Sequence, residues 1–280
     1  MLDQLRSTCK KLLEDGKVQV VIGYGAVPGG ASVTPVFITS AARVDQLTWN
    51  ADCYHNLTAY LTRAEVKALG RAAVVVKACD ERALVMLQKE SQIDRDKVFV
   101  VGVACDTDLR PQATKCDACR DRVPRFADVV IGNTDRTSEA KTERYAELEQ
   151  FLEKTPLQRM EYWQQELARC TKCYACRQVC PLCYCQRCIV DKNRPVCIDT
   201  SPTLKGNFAW HITRAFHLAG RCIGCDECTR ACAAGIDLRL LNLSLARAAE
   251  TNFGFRPGED PDVEPLVGTY SEHDQESFIK

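Results

Sequence analysis

Seven cysteines fall within nineteen residues in CTKCYACRQVCPLCYCQRC, residues 170–188. Thiols at that density serve disulfides, zinc or iron–sulfur clusters, and their spacing separates the three. Cys170, Cys173, Cys176 and Cys180 form C-x2-C-x2-C-x3-C followed by Pro181, and Cys222, Cys225, Cys228 and Cys232 repeat the run. Three thiolates on one tight loop meet three corners of a cubane core, and a fourth arrives from a distant segment. Zinc takes four tetrahedral ligands, usually as two separated C-x2-C pairs, and two matching runs of four suit it badly. The chain has 18 cysteines in 280 residues. In a reducing compartment, where disulfides are disfavoured, that number points to metal or redox chemistry.

The repeated run is the one used by two-cluster bacterial ferredoxins, in which the fourth cysteine of each run ligates the other cluster. On that pattern Cys170, Cys173, Cys176 and Cys232 hold one 4Fe–4S cluster, and Cys222, Cys225, Cys228 and Cys180 hold a second. The second run ends Cys232-Ala233 rather than Cys-Pro, and about forty residues separate Cys180 from Cys222. That insert carries Cys183, Cys185, Cys188 and Cys197, which are surplus to two clusters. They are candidates for a further 4Fe–4S cluster or a zinc, or some of them are free. Cys79, Cys105, Cys116 and Cys119 make a fourth set, two at strand ends and two in KCDAC. Strand C-termini of a parallel sheet open onto one edge, where such folds bind ligands. A third 4Fe–4S cluster is expected there, against the alternative of a buried strand-end cysteine beside a structural C-x2-C pair. Cys9 and Cys53 read as ordinary residues, and His211 and His217 as packing residues. Lys172, Arg177, Arg187, Arg221 and Arg230 lie near the runs in sequence and offset cluster charge or form a solvated face, the second being the expectation for any one of them.

The elements that must position these thiols change character along the chain. Residues 17–25, 35–40, 72–79, 97–105 and 127–132 read as strands, with helices over 55–69 and 80–91. Apolar strands alternating with helices predict an α/β domain over 1–140, with a mixed or parallel sheet flanked by helices. A helical connector over 141–169 follows, in which Thr155, Pro156 and Gln158 start a helix with a capping box. Residues 170–250 are expected to be a small cysteine-rich α+β ferredoxin-like domain with its insert at 183–218. Residues 251–280, rich in proline and acid, read as an extended tail lying on the protein or a partner, or as a disordered terminus. GYGAVPGG (23–30) departs from a G-x-G-x-x-G fingerprint at Pro28 and precedes a strand, so a turn between two strands is expected.

With 37 basic and 37 acidic residues the formal net charge is zero, which argues against a nucleic-acid footprint. The first residues form a polar amphipathic segment without a signal-peptide core, and no run approaches the roughly 18 apolar residues of a membrane span. A cytoplasmic location is expected.

The stretch VVVKACDERALVMLQKE…VFVVGVACD…KCDACRDRVPRFADVVIG resembles the beta subunits of coenzyme F-420 (deazaflavin) hydrogenases and dehydrogenases, and CYACRQVCPLCYCQRC…FHLAGRCIGCDEC resembles the ferredoxin part of formate dehydrogenase beta subunits and heterodisulfide-reductase-linked carriers. Together these cover about residues 70–240. In the first family a 4Fe–4S cluster is held by the cysteines matching Cys79, Cys105, Cys116 and Cys119. The segment matching the family's glycine-rich flavoprotein region is short here, so a reduced relative that kept the clusters and lost the flavin is expected. The resemblance implies an electron-transfer subunit of a cytosolic oxidoreductase complex of an anaerobe. Its partners would be formate dehydrogenase, hydrogenase or heterodisulfide-reductase-like proteins. The alternatives are a flavin-dependent subunit acting on a deazaflavin or nicotinamide cofactor, and a zinc-stabilised scaffold.

Overall fold

The structure, a computed structural model, describes residues 1–27, 29, 32–105, 114–135, 140–192 and 194–266. The chain forms two compact units, Met1–Thr142 and Glu143–Lys280.

The first unit is a mixed sheet with helices around it. Its strands are β1 (Val20–Ala26), β2 (Val33–Ile38), β3 (Ala72–Val76), β4 (Val98–Val103) and β5 (Val129–Ile131), in the spatial order β2-β1-β3-β4-β5. β1 and β2 pair antiparallel, while β1, β3, β4 and β5 run parallel. Helices α1 (Leu2–Glu14), α2 (Ala64–Ala68) and α3 (Ala78–Lys89) complete it. Val74, Val75, Val76, Val100, Val101 and Val103 are fully buried, as central strands covered on both faces must be. In the glycine-rich GYGAVPGG, residues 23–26 end β1, and the Val27 amide donates to the Ser32 carbonyl at 2.9 Å just before β2; Pro28 and Gly30, on which the expected turn falls, lie outside the described residues. A Cβ on Gly23 would stand 2.3 Å from Leu47 Cδ2, so close packing explains that glycine.

Residues 55–69 do not form the single helix expected. They make a 3-10 turn, Leu57–Tyr60, followed by the short α2. Asn56 Oδ1 accepts from the Thr58 amide at 3.1 Å and the Thr58 hydroxyl at 2.6 Å. A buried side chain that captures the first turn in this way competes with helix propagation.

The second unit contains α4 (Ala146–Leu152), α5 (Pro156–Ala168), α6 (Ala175–Gln178), α7 (Leu204–His217), α8 (Glu227–Arg230) and α9 (Leu238–Phe253). No strand occurs among its described residues, so the β part of the expected α+β unit is not found there. The sequence between the cysteine loops has helical period: Leu238, Leu243, Ala246 and Ala249 line the buried face of α9, and Trp163 with Leu167 that of α5. These faces meet Trp210, Phe151 and Ile236 in one core. Thr155 Oγ1 accepts from the Gln158 amide at 3.3 Å, and Gln158 Oε1 from the Thr155 amide at 2.9 Å, which closes the capping box of α5. Beyond α9, Phe255 is buried and Leu266 packs on Gly220, so this part of the expected tail lies on the second unit. Residues 267–280 lie outside the described residues. No described helix is long and apolar enough to cross a membrane.

Candidate metal centres

The two cysteine runs of the second unit share a backbone trace. Lys172 (φ 53°) and Tyr174 (φ 61°) are left-handed in the first loop, as Gly224 (φ 70°) and Asp226 (φ 65°) are in the second. In both loops these are the second and fourth residues after the leading cysteine. Non-glycine residues rarely adopt this conformation, and three of the four are non-glycine. The double reversal curls each loop before the one-turn helices α6 and α8, which carry the third cysteine of each run.

Each loop surrounds a cavity, and the fourth cysteine comes from the other run. Cys170, Cys173 and Cys176 line one of about 400 Å³, open mouth included, together with Cys232. Cys222, Cys225 and Cys228 line another of about 380 Å³ with Cys180. The remaining walls are mostly apolar: Trp210, Ile236 and Leu238 in the first, Leu182, Leu218 and Ile223 in the second. N–H groups point at the sulfurs. The Lys172 amide lies 3.4 Å from Cys170 Sγ, the Ile236 amide 3.4 Å from Cys232 Sγ, and Asn242 Nδ2 3.7 Å from Cys228 Sγ. His211 Nε2 lies 3.3 Å from Cys170 Sγ. Four sulfurs, dry walls and donors to sulfur fit a thiolate-bound cluster, whose potential such hydrogen bonds help to set. Among the described residues no three His, Cys, Asp or Glu side chains are gathered around a single-ion site. Zinc at 2.3 Å from each thiolate would draw sulfurs to about 3.8 Å from one another.

Burial pushes the Cys176 thiol up to about 11 and Cys228 up to about 12, although the Arg214 guanidinium pulls both down. Lone thiols in such walls stay protonated, and metal coordination is what ionises them.

Several neighbours differ from expectation. Lys172 is buried, with its ammonium 2.6 Å from the Asp199 carbonyl. Arg177 pairs with Asp191 at 3.3 Å, Arg230 with Glu227, and Arg221 donates to the Leu182 carbonyl at 3.2 Å while lying over the Tyr184 ring. The solvated-face reading therefore holds for Arg187 but not for these four, because all but Arg230 are drawn onto carbonyls and acids distant in the chain, and Arg230 onto its neighbour Glu227. His211 is buried but is more than a packing residue, since it lines the first cavity against Cys170, whereas His217, at the end of α7, is exposed. Arg214 and Asn242 were missed: neither belongs to a motif, and only the buried faces of α7 and α9 bring them to the cysteines.

Within the insert, the Cys183 amide donates to the Cys180 carbonyl at 3.2 Å, and the neighbouring Cys180 thiol and Arg214 guanidinium, opposed by burial, hold the Cys183 thiol below its ordinary value. Cys188 is half-buried, while Cys185 and Cys197 are exposed.

In the first unit the third set gathers at the C-terminal edge of β3 and β4. Cys79 opens α3 and Cys105 follows β4, with its amide held 2.8 Å from the Arg122 carbonyl. Cys105 lies within electrostatic range of Cys79 and of Cys116 and Cys119, and Cys119 Sγ lies 3.1 Å from the Asp121 carbonyl. Glu81 holds the return segment, its carboxylate accepting from the Arg125 amide at 2.8 Å and the Phe126 amide at 2.7 Å. Beneath the cysteines lies a polar cluster that sequence reading did not assemble. Lys77 is fully buried, with its ammonium 2.6 Å from Asp80 and 3.0 Å from the His55 carbonyl, and it also donates to Tyr24 Oη. Lys115 meets the other Asp80 oxygen at 3.9 Å. Burial pulls the Lys77 ammonium down, but Asp80 and Cys79 outweigh it and hold the group above its ordinary value. Cys9 and Cys53 are fully buried, and Cys9 is pushed up to about 12 by burial alone.

No family model matches the chain. Whole-chain comparison finds an F420-dependent formate dehydrogenase subunit beta of Methanocaldococcus jannaschii, 23% identical over 350 aligned positions that cover 91% of this chain and 90% of that protein. An F420-dependent formate dehydrogenase 1 subunit beta of Methanococcus maripaludis is 21% identical over 361 positions, covering 92% and 91%. An alignment of 350 positions against 280 residues carries at least 70 gaps on this chain's side, so the relative has stretches that this chain lacks. The similarity covers nine-tenths of the sequence and so reaches both units, and over that length the chain is similar to formate dehydrogenase beta subunits.

Proposed function

We propose that the chain is an iron–sulfur electron-transfer subunit of a formate dehydrogenase-type complex. Cys170, Cys173, Cys176 and Cys232 hold one 4Fe–4S cluster; Cys222, Cys225, Cys228 and Cys180 hold a second; Cys79, Cys105, Cys116 and Cys119 hold a third. The observation that carries this reading is the crossed lining of the two cavities, in which each contains three cysteines of one run and the last of the other. Bound clusters supply one-electron carriers. The protein's part is to exclude water with Trp210, Leu218 and Ile223, donate N–H groups to sulfur, and bring one centre to the surface at the exposed Cys173. By likeness to the relatives, the electrons come from or go to a formate-oxidising partner subunit and a further redox protein.

A second reading is favoured by the relatives' names, which carry F420 dependence: a flavin-bearing subunit that itself reduces or oxidises a deazaflavin. The gaps on this chain's side weigh against it.

Anaerobic purification with iron, sulfide, zinc and flavin measured together separates these. About twelve irons per chain with a reducible paramagnetic signal supports three clusters. Stoichiometric flavin would favour the second reading, and zinc without sulfide would end both.

A further inference from the structure

Arg214 is 5% exposed, yet no carboxylate meets it among the described residues. Its Nη2 donates to the Cys176 carbonyl at 3.0 Å, its Nε has no hydrogen-bond partner among the described residues, and its side chain lines the second cavity with Cys180, Cys222, Cys225 and Cys228. The other charged groups there answer one another. Asp226 is met by Arg239 at 3.7 Å and Arg230 at 4.0 Å, and Glu227 by Arg230. Its guanidinium carbon lies 6.0 Å from the Trp210 ring centroid, a cation–π contact at the edge of its range, and a buried cation without a carboxylate still needs a negative group beside it. The cysteines that share its cavity, Cys180, Cys222, Cys225 and Cys228, become negative neighbours only when coordination ionises them.

We infer that Arg214 is a shared potential-setting residue, a buried cation placed between the two second-unit centres that favours their reduced states and holds the Cys176 loop. The inference rests on the cluster reading above, and it assigns to one arginine what that reading leaves to the protein as a whole. A cluster bound by four thiolates gains negative charge on reduction, and a guanidinium in its wall stabilises the reduced form more than the oxidised one. Removing the cation therefore lowers the potential. The second centre should respond more, because the side chain lines its cavity; the first is reached through the Cys176 carbonyl.

The test uses the full chain, purified without oxygen, and redox titration followed by electron paramagnetic resonance. Arg214→Gln is expected to keep its iron and to lower the reduction equilibrium of one second-unit centre at least tenfold, which is 59 mV for one electron. Arg214→Lys, which keeps the charge, should stay near the wild type. The same shift should appear in a Cys183→Ser background. If Arg214→Gln loses iron that Arg214→Lys retains, the charge is again responsible and the inference stands. Full iron with unmoved midpoints in Arg214→Gln overturns it. So does equal iron loss in both variants, which would make the residue a packing element, or disappearance of the shift when Cys183 is absent. A wild-type chain without reducible clusters would instead fail the earlier reading, and it is recognised before any variant is made.

Discussion

The crossed wiring of the two cysteine runs can be decided with paired substitutions. Cys222→Ser and Cys180→Ser lie in different runs but line one cavity, as do Cys170→Ser and Cys232→Ser. Each cavity presents four thiols and each 4Fe–4S cluster takes four, so losing any ligand removes about four irons. Two substitutions in one cavity remove no more than one does, because the centre is already gone. The double variants Cys222→Ser/Cys180→Ser and Cys170→Ser/Cys232→Ser should therefore each lose about four irons per chain, and Cys170→Ser/Cys180→Ser about eight. If each run bound its own cluster, the two outcomes would be exchanged. Cys183 lies beside Cys180, so Cys183→Ser is added wherever Cys180 is changed, to stop a neighbouring thiol taking its place. The assay is iron and labile sulfide per chain in anaerobically purified protein, with spin quantitation after reduction. A loss of about eight irons from the Cys222/Cys180 pair, with about four from the Cys170/Cys180 pair, would refute the crossed arrangement.

Lys77→Met should destabilise the first unit by up to about 3–5 kcal/mol, because it leaves the buried Asp80 carboxylate only the longer 3.9 Å contact with Lys115; a denaturation midpoint within error of the wild type would contradict the buried pair. Thr155→Ala removes the cap of α5 and should cost about 1 kcal/mol, with Thr155→Ser close to neutral, as read by thermal unfolding. Leu243→Ala opens the core behind the second cavity and should cost about 2–5 kcal/mol in the same measurement. Burial holds Cys9 at about 12 and Cys53 at about 11, so at pH 8 both thiols are protonated and covered. Iodoacetamide should leave them unmodified in the folded protein and label them after denaturation; rapid labelling of the native chain would mean these sites open.

The parallel strands were legible because β-branched runs such as AAVVV suit only a strand covered on both faces, and the observed β3 occupies that run. The capping box of α5 was legible for a similar reason: Thr, Pro and Gln at fixed offsets satisfy the first orphan amides locally. Both rest on interactions within a few residues. The helix over 55–69 misread for the opposite reason, since the buried Asn56 side chain holds its own backbone in a tighter turn. Cysteine spacing carried the candidate centres because a cubane core demands three thiolates on one loop, a constraint that is local along the chain.

What spacing could not supply were the groups other than cysteine that reach a centre from elsewhere. Arg214, His211 and Asn242 come to the sulfurs on long helices, and Lys77 meets Tyr24 across two strands. No offset marks such residues, because their role follows from which helix face turns inward once the core has formed. Sequence alone determined which thiols are available and the α/β character of the first unit, through short-range stereochemistry and hydrophobic period. Tertiary packing decided which charges and donors are buried beside them, since burial and Coulomb energy depend on distance in space rather than along the chain.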